Sequence, residues 1–377
     1  MAGMRLAAPL LALKQGYSPA AVGVLLALFS LTQVVLALPA GRFADRHGLQ
    51  RPVLLSVLAA TLGAGLAAAF PVFAVLCVAA LLTGGASGAA VISLQRHVGR
   101  SASGAVQLKQ VFSWLAIGPA VSNFVGPFSA GLLIDFAGAE PGSEMGFRTA
   151  FVVLALLPLV TAFLVRGTRE LPPVVAAPSA PGRKPKVWDL LRDTRFRRLL
   201  LLNWCLSACW DVHTFVVPIL GHERGISASS IGAILGAFAI AATLVRLVMP
   251  LLAEHLQEWR VLATAMLVTA ALFALYPFML SAWTMGACAV VLGLALGSVN
   301  PMIMSLLHQI TPEARHGEAL GLRLMMVNGS SVVVPLLSGS AGALLGVAGV
   351  FWVVGAVVGL GSHLAWQLKD LMLRTDP

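Results

Sequence analysis

The chain has 377 residues, of which 58% are hydrophobic and only 11% are charged, and its mean hydropathy is +0.90. A soluble domain carries roughly 25% charged residues, so this composition excludes a water-soluble enzyme and any disordered, collagen-like or disulfide-scaffold protein. A spanning helix needs about 20 apolar residues, and the length therefore suits about twelve spans joined by short loops. The apolar runs are unbroken, whereas the strands of a transmembrane β-barrel alternate apolar and polar residues. The sequence predicts an all-α, polytopic membrane protein.

The net charge of +10 and the pI near 10.3 would suggest a nucleic-acid partner if the protein were soluble. In a membrane protein, Lys and Arg collect in cytoplasmic loops, so we expect the lipid bilayer and no nucleic acid as the partner. The four cysteines all lie inside apolar runs, which predicts neither disulfides nor a metal site. We expect no cofactor.

Eleven apolar runs are long enough to cross a bilayer. They are Ala20–Ala40, Val53–Ala69, Val72–Leu94, Val106–Phe136, Phe147–Val165, Leu199–Gly221, Ala228–Leu252, Val261–Leu280, Trp283–Leu307, Ala319–Leu345 and Val347–Leu368. A further run, Met1–Leu13, is too short to span, and no signal-peptide cleavage pattern follows it. We interpret it as the outer half of span 1, with its beginning missing from this sequence. The spans are numbered 1 to 12 on this basis.

Loop charges set the orientation of these spans. The loops after spans 2, 4 and 6 are basic, whereas the intervening loops carry little positive charge. The positive-inside rule places the even-numbered loops and both termini of the full-length protein in the cytoplasm. The protein is therefore expected to be a multi-pass protein of the cell (inner) membrane.

The segment Arg166–Arg198 differs in composition from the rest of the chain, because it is rich in Pro and then in Arg. Such a composition favours an extended linker, and Trp188–Arg198 could form a helix on the inner leaflet. The predicted organisation is a six-helix bundle at residues 1–165, a cytoplasmic linker at 166–198 and a second six-helix bundle at 199–377.

The two bundles repeat each other in sequence. Shifting the first by 209 residues, the separation of Gly16 and Gly225, aligns span 2 with span 8 without a gap. Phe29 then meets Phe238, and the acidic loop residue Asp45 meets Glu254. Two parallel-related six-helix halves are a known transporter architecture, in which the substrate site lies at mid-membrane between the halves.

The loop after span 2 carries the most specific motif of the chain. It reads Gly-Arg-Phe-Ala-Asp-Arg-His-Gly-Leu-Gln-Arg over residues 41–51, with Asp45 flanked by basic residues. This resembles the major facilitator superfamily, whose corresponding loop has the pattern G-x-L-A-D-R-x-G-R-R. The match keeps Gly41, Ala44, Asp45, Arg46, Gly48 and Arg51. It departs at Phe43 and at Leu49-Gln50.

The resemblance implies the fold of that family, two six-helix bundles related by a pseudo-two-fold axis, and a clamp on the cytoplasmic side. In the family the loop Asp engages the start of span 11, which here is Gly317–Arg323 and includes Arg323. By pseudo-symmetry, Glu254 is expected to engage span 5 near Lys109.

Span 5 carries a second family resemblance, at Gly126, Pro127 and Gly131. The antiporter branch of the family has G-P-x-x-G-G here, and this chain has Ala130 in place of one Gly. Small residues also let helices pack closely in lipid, which is the alternative interpretation. The span-4 Arg of drug:proton antiporters is absent, so a proton relay through it is not available.

Ionisable residues inside a span are costly and indicate functional sites by default. Asp211 in span 7 is the strongest candidate, with His213 two residues away on another side of the helix. Arg5 in span 1 is expected near the same depth, and an Arg5–Asp211 ion pair across the cavity is predicted, either for coupling or as a structural pair.

Other polar and aromatic residues are weaker candidates. Gln33, Asn123 and Asn328 are expected to line the cavity. Trp114, Trp204 and Trp210 are bulky enough to bind an apolar or aromatic substrate, although packing is the commoner role. Arg246 and Arg323 lie near the cytoplasmic ends of spans 8 and 11, where snorkelling to the interface is expected rather than substrate contact.

These features together predict a secondary transporter that moves a small organic solute, as a monomer, with protons as the coupling ion and efflux as the direction. Efflux follows only from the family resemblance. The alternative within the fold is an importer or facilitator of a sugar or organic acid. An intramembrane enzyme would need paired carboxylates or an H-E-x-x-H cluster, and a channel would need a repeated polar filter; the sequence has neither.

Overall fold

The computed structural model describes residues 1–17, 19–138, 140, 143–171, 187–226 and 228–372, and these residues contain no β-strand. Twelve helices are described: α1 (Ala2–Lys14), α2 (Pro19–His47), α3 (Gln50–Ala69), α4 (Phe73–Ser101), α5 (Ala105–Leu115), α6 (Ile117–Phe136), α7 (Glu144–Arg166), α8 (Thr194–Glu223), α9 (Ala228–Leu252), α10 (Glu258–Leu275), α11 (Ala282–Ile310) and α12 (His316–Met372). Three short 3-10 helices lie at Val187–Arg192, Tyr276–Phe278 and Glu313–Arg315. The predicted all-α class is confirmed.

Ten helical segments of the described residues are long and apolar enough to cross a membrane. The predicted span 5 is one of the ten, Ala105–Phe136, in which a one-residue turn at Ala116 separates α5 from α6. Spans 11 and 12 form the single element α12, interrupted at Gly346, whose φ of 73° lies in the left-handed region. The predicted span Ala319–Leu345 is not among the ten, and the side chains of 335–345 lie outside the described residues.

Only the ends of the predicted linker belong to the described residues, because 172–186 lie outside them. The interfacial helix predicted at Trp188–Arg198 is not continuous. A 3-10 helix ends at Arg192, and the Asp193 carboxylate then accepts the backbone N–H of Arg195 at 2.7 Å. This cap starts α8, so Arg195, Arg197 and Arg198 belong to the beginning of a spanning helix.

The chain forms two compact units, and each takes one segment from the other half of the sequence. Unit 1 comprises Met1–Ser101, Gly118–Arg183 and Glu313–Asn328. Unit 2 comprises Ala102–Ile117, Lys184–Pro312 and Gly329–Pro377. The first turns of α12 therefore pack with the first repeat, and α5 packs with the second.

The sequence repeat is also a repeat of helix contacts. In unit 1, α4 approaches α2 so closely that a Cβ on Gly84 would overlap the backbone of Phe29. In unit 2, α11 approaches α9 in the same way at Gly293 and Phe238, which are the same positions shifted by 209 residues. Small residues at such crossings let two backbones approach each other in lipid, where packing rather than hydrophobic burial drives helix association.

Large apolar side chains cover the outer surface of both units. Phe163, Leu251, Leu280 and Leu360 are each about 80% exposed. A soluble protein rarely shows extended apolar surface, so these positions are those expected of lipid-facing helices.

Candidate functional site

The carboxylate of Asp45 lies at the end of α2 and caps the N-terminus of α12 within unit 1. Its Oδ1 accepts the backbone N–H of Gly317 at 2.8 Å, and its Oδ2 accepts the N–H of Glu318 at 3.0 Å. The guanidinium of Arg96 from α4 also donates to Oδ1, from Nε at 2.7 Å. Both charged side chains are over 90% buried. A helix N-terminus and a buried arginine both stabilise an ionised carboxylate, so Asp45 ties α2, α4 and α12 together.

Glycines allow the two backbones to meet at this point. A Cβ on Gly41 would overlap the carbonyl oxygen of Gly317, and a Cβ on Gly317 would overlap that of Gly41. One turn further along α12, Gly321 packs against the carbonyl of Ala37, at 2.5 Å from an ideal Cβ. Gly41 of the loop motif is therefore required by a helix crossing, and it lies within α2 rather than in the turn that follows.

A second charge cluster lies beside this crossing. The Glu318 carboxylate receives Arg42 at 2.9 Å from α2 and Arg315 at 2.8 Å from the adjacent 3-10 helix. Arg46 and Arg51 of the same loop motif are exposed, and neither makes an ion pair within the described part of the chain. Of the predicted clamp residues, the structure brings Gly41 and Asp45 to α12 and leaves these two arginines at the surface.

Gly48 is held by a residue that sequence reasoning missed. Its φ of 75° ends α2, and the Glu170 carboxylate fills the space where its side chain would stand. That carboxylate accepts the backbone N–H groups of Leu49 and Gln50 at 3.1 and 2.5 Å, so it caps the N-terminus of α3. The start of the linker is thereby fixed to the motif loop.

The equivalent contact in unit 2 uses Glu258 rather than the predicted Glu254. The ammonium of Lys109 on α5 donates to the Leu256 carbonyl at 2.6 Å and lies 3.9 Å from the Glu258 carboxylate. Glu254 is exposed. The physical reason is that α2 stays helical to His47, whereas α9 ends at Leu252, so the chain reaches α5 only at the start of α10.

One carboxylate oxygen of Glu258 also binds side chains of α11. Ser305 donates to its Oε1 at 3.1 Å and Gln309 donates to the same oxygen at 3.0 Å, both from α11. Lys109 and Glu318 occupy equivalent positions of the two repeats, 209 residues apart, and carry opposite charges.

Replacing Glu258 with Ala is expected to destabilise the protein by about 3 kcal/mol, because it leaves the buried Lys109 ammonium without its carboxylate. Replacing the exposed Glu254 with Ala should change stability by less than about 0.5 kcal/mol. Denaturation of the two purified variants in detergent measures both effects. Equal losses from the two changes would contradict the assignment of the contact to Glu258.

Arg323 lies on α12 two turns beyond Gly317 and is buried, with only 8% of its surface exposed. The structure thus places this predicted clamp residue in the interior of unit 1.

Asp211 lies near the middle of the membrane span of α8, in unit 2. Its carboxylate accepts hydrogen bonds from the hydroxyls of Ser330 at 3.2 Å and Ser331 at 3.2 and 3.3 Å, both on α12. The predicted pair with Arg5, an exposed residue of α1 in unit 1, stays a prediction. No pattern around Asp211 indicated the two serines, which lie 119 and 120 residues further along the chain.

His213 faces a different part of unit 2 from Asp211. Its ring is completely buried, and neither nitrogen has a hydrogen-bond partner among the residues the structure describes. The ring centroid lies 4.3 Å from that of Phe238 and 5.8 Å from that of Tyr276. This geometry packs His213 among aromatic rings, so its predicted part in coupling stays a prediction.

The three predicted cavity residues are in different settings. Gln33 on α2 donates to the sulfur of Met1 at 3.1 Å, and Asn328 donates to the Leu324 carbonyl of its own helix at 3.0 Å. Asn123 on α6 is exposed. Unit 1 has a cavity of about 320 Å³ whose lining includes Ser56, Thr83 and Ser87 and none of these three residues.

The span-5 motif packs α6 against α1 within unit 1. An ideal Cβ on Gly126 would lie 3.0 Å from the Cβ of Ala2 and from the backbone N of Gly3. Gly131 faces Leu6 at 3.9 Å, and Pro127 lies inside α6. Gly126 therefore serves a close helix crossing, as the packing interpretation of the motif expects, whereas the space at Gly131 would admit a larger residue.

The fold and these sites define a polytopic helical membrane protein built from two repeated bundles, with charged contacts at the ends of helices. The family model of the Major Facilitator Superfamily matches residues 1–219 and 199–370. The chain therefore belongs to this superfamily, a family of membrane transporters, and the predicted resemblance is confirmed.

Its relatives include resistance proteins of bacteria. The chain is 26% identical over 350 residues to "Multidrug resistance protein MdtG" of Dickeya zeae (strain Ech586), which covers 90% of this chain and 83% of the relative. It is 25% identical over 325 residues to "Tetracycline resistance protein, class E" of Escherichia coli, and this match covers 84% of this chain and 76% of the relative.

Solved structures of transporters share the fold. The human organic anion transporter MFSD10 (TETRAN) superposes with a TM-score of 0.76 at 18% identity, covering 96% of this chain and 89% of that one. The transporter FucP in the outward conformation gives 0.75 at 15% identity, with 97% of both chains covered. At these identities the likeness concerns the fold alone.

Proposed function

We propose that this transporter exports a small organic solute across the cell (inner) membrane in exchange for protons. The names of two relatives, a multidrug and a tetracycline resistance protein, support export of organic compounds. The basic even-numbered loops support an orientation with the loop motif in the cytoplasm. One chain carries both repeats, so a monomer is sufficient for the proposed cycle.

Transport is proposed to proceed by alternating access, in which the two repeats rock about a fixed site. The contacts that support a cytoplasmic gate each join the two repeats of the sequence: Asp45 with the start of α12, and Lys109 with Glu258. In both, a buried charged side chain of one repeat binds the other repeat, so opening the gate must break that bond and expose the charge to water. Such contacts hold one state of a two-state equilibrium until a ligand shifts it.

The observation that carries proton coupling is the carboxylate of Asp211 in the span of α8. When ionised, it accepts the hydroxyls of Ser330 and Ser331; when protonated, it loses its charge and can itself donate a hydrogen bond. The two forms therefore hold α12 differently. A proton that binds and leaves at this carboxylate could couple its own movement to that of α12.

Replacing Asp211 with Asn is expected to abolish the dependence of transport on a pH gradient, because Asn cannot bind or release a proton. The measurement is export of a panel of organic compounds from proteoliposomes with an imposed pH gradient, before and after the gradient is collapsed. Solute exchange without a gradient should persist, because Asn keeps an acceptor for the two serines.

Asp135 provides the matched control, since it is an exposed aspartate at the end of α6. Its change to Asn should leave the gradient dependence intact. Gradient-driven transport that persists in the Asp211→Asn variant would refute the coupling role.

A further inference from the structure

Arg246 lies inside the membrane span Ala233–Leu252, six residues or about 9 Å from the end at Leu252. Snorkelling would direct its side chain toward that end. Instead, its Nε donates to the carbonyl of Gly297 on α11 at 3.2 Å, and its Nη1 lies 3.4 Å from the carbonyl of Ala116 at the break between α5 and α6. The guanidinium is therefore held inside unit 2. A charge within a membrane span is costly, and its presence there indicates a functional site.

Proline explains why one of these carbonyls can accept the arginine. In an α-helix the carbonyl of residue 297 accepts the N–H of residue 301, and in α11 residue 301 is Pro, which has no N–H. The Gly297 oxygen thus lacks its helical donor, and Arg246 supplies one. This arrangement fixes the position and direction of the guanidinium.

The remaining neighbour of Arg246 is aromatic. Its Cζ lies 5.7 Å from the ring centroid of Trp210 on α8, and that ring packs edge-on against Phe238 at 4.5 Å. A cation over an indole ring is stabilised by the ring electrons but is not neutralised. Two carbonyls occupy two of the five N–H donors of the guanidinium, which leaves donors for a further group.

No carboxylate compensates this charge within the described residues. The nearest in sequence to Trp210 is Asp211, and it accepts from Ser330 and Ser331 instead. Arg246 forms no ion pair in the part of the chain that the structure describes. Unit 2 thus holds a fixed cation beside an indole ring, with no counter-ion of its own.

We propose that Arg246 and Trp210 form a binding site for the acidic group and ring of the transported solute, which assigns the solute to the aromatic organic anions. The guanidinium binds the carboxylate or similar group through its free donors, and the Trp210 face packs against the ring. This inference rests on the proposed transport function and adds the solute class to it. Asp211 remains the site of the proton and takes no part in binding the acid.

Arg224 is the matched control for a purely structural arginine. It also donates to two backbone carbonyls, those of Tyr276 at 3.5 Å and Pro277 at 2.5 Å, but it lies beyond the end of the α8 span. If Arg246 only tied helices together, then Arg246→Gln, which keeps donors for the carbonyls and loses the charge, should behave like Arg224→Gln.

The test is binding of ligand pairs that share a ring and differ in charge: benzoate and benzylamine, 1-naphthoate and 1-naphthylmethylamine, and indole-3-acetate and tryptamine. Ligand-dependent thermal stabilisation of the purified protein in detergent gives the affinities. The wild-type protein and Arg224→Gln should prefer the carboxylate of the pairs they bind. Arg246→Gln should lose about tenfold or more in affinity for the carboxylates, the value of one charge-assisted contact, with no loss for the amines. Arg246→Lys should keep the preference for the anion.

Two results would overturn the proposal. One is a wild-type protein that no carboxylate stabilises more than the matching amine does. The other is an Arg246→Gln protein that shows no selective loss of carboxylate binding. Such a protein either keeps the wild-type preference for carboxylates or loses affinity for carboxylates and amines equally, while it remains as stable as Arg224→Gln. Because these assays use no pH gradient, failure of the coupling role of Asp211 would leave this result unaffected, and failure here would leave the coupling test unaffected.

Discussion

Replacing Asp45 with Asn is expected to reduce transport by about tenfold or more and to favour an open cytoplasmic gate. Every group around the carboxylate is a donor: the backbone N–H groups of Gly317 and Glu318 and the guanidinium of Arg96. The amide NH₂ of Asn must face one of these donors, and Arg96 is left buried without a counter-ion. Losing the charge-assisted bonds to the two backbone N–H groups of α12 costs about 1.5–3 kcal/mol, which shifts a two-state equilibrium by about ten- to a hundredfold.

The measurement is the initial rate of solute export from proteoliposomes, with the denaturation midpoint of the same variant. Arg46→Gln is the control, because this neighbouring charge of the motif is exposed and its loss should alter the rate by less than about twofold. A wild-type rate for Asp45→Asn with an unchanged midpoint would show that the contact with α12 does not control the gate.

Replacing Gly41 with Leu is expected to prevent the closed contact between α2 and α12. Its first side-chain atom would already overlap the carbonyl oxygen of Gly317, which is backbone and cannot rotate away. The helices must then separate, which also removes the Asp45 cap. We expect loss of export of about tenfold or more, because overpacking alone costs about 1–3 kcal/mol and the cap is lost with it.

Gly23→Leu on the same helix is the matched control, since a Cβ at Gly23 meets no atom within 4 Å. Export and the amount of folded protein in the membrane should both be close to wild type for this variant. If Gly41→Leu exported solute as well as Gly23→Leu, the close crossing at residues 41 and 317 would not be part of the closed gate.

The parts of the fold that depend on short-range pattern could be predicted from the sequence. Continuous apolar runs predicted the spans, and the repeat offset of 209 residues, found in the sequence, relates two contacts of the structure, Phe29 with Gly84 and Phe238 with Gly293. The contact of Asp45 with the start of α12 was expected from family resemblance, since nothing local to residue 45 indicates a partner 272 residues away.

The remaining features depend on where helices end and on which distant side chains meet there. The repeat offset pointed to Glu254, but α9 ends two residues before it, and this moved the contact to Glu258. The roles of Glu170 and of the serines at 330 and 331 were missed because local sequence does not indicate which distant residue a carboxylate or hydroxyl will bind. Arg246 was expected to snorkel, because the sequence shows its depth but does not show that Pro301 leaves the carbonyl of Gly297 free.

The most direct test of the proposed cycle is to lock the contact between α2 and α12. Arg42 and Glu318 lie 2.9 Å apart at their charged atoms and can both be changed to Cys, then bridged with a short bismaleimide in proteoliposomes. If transport requires this contact to open, bridging will stop export in the double variant, while the same reagent will leave each single variant active. Export that continues at the unbridged rate in fully bridged protein would contradict alternating access through this gate.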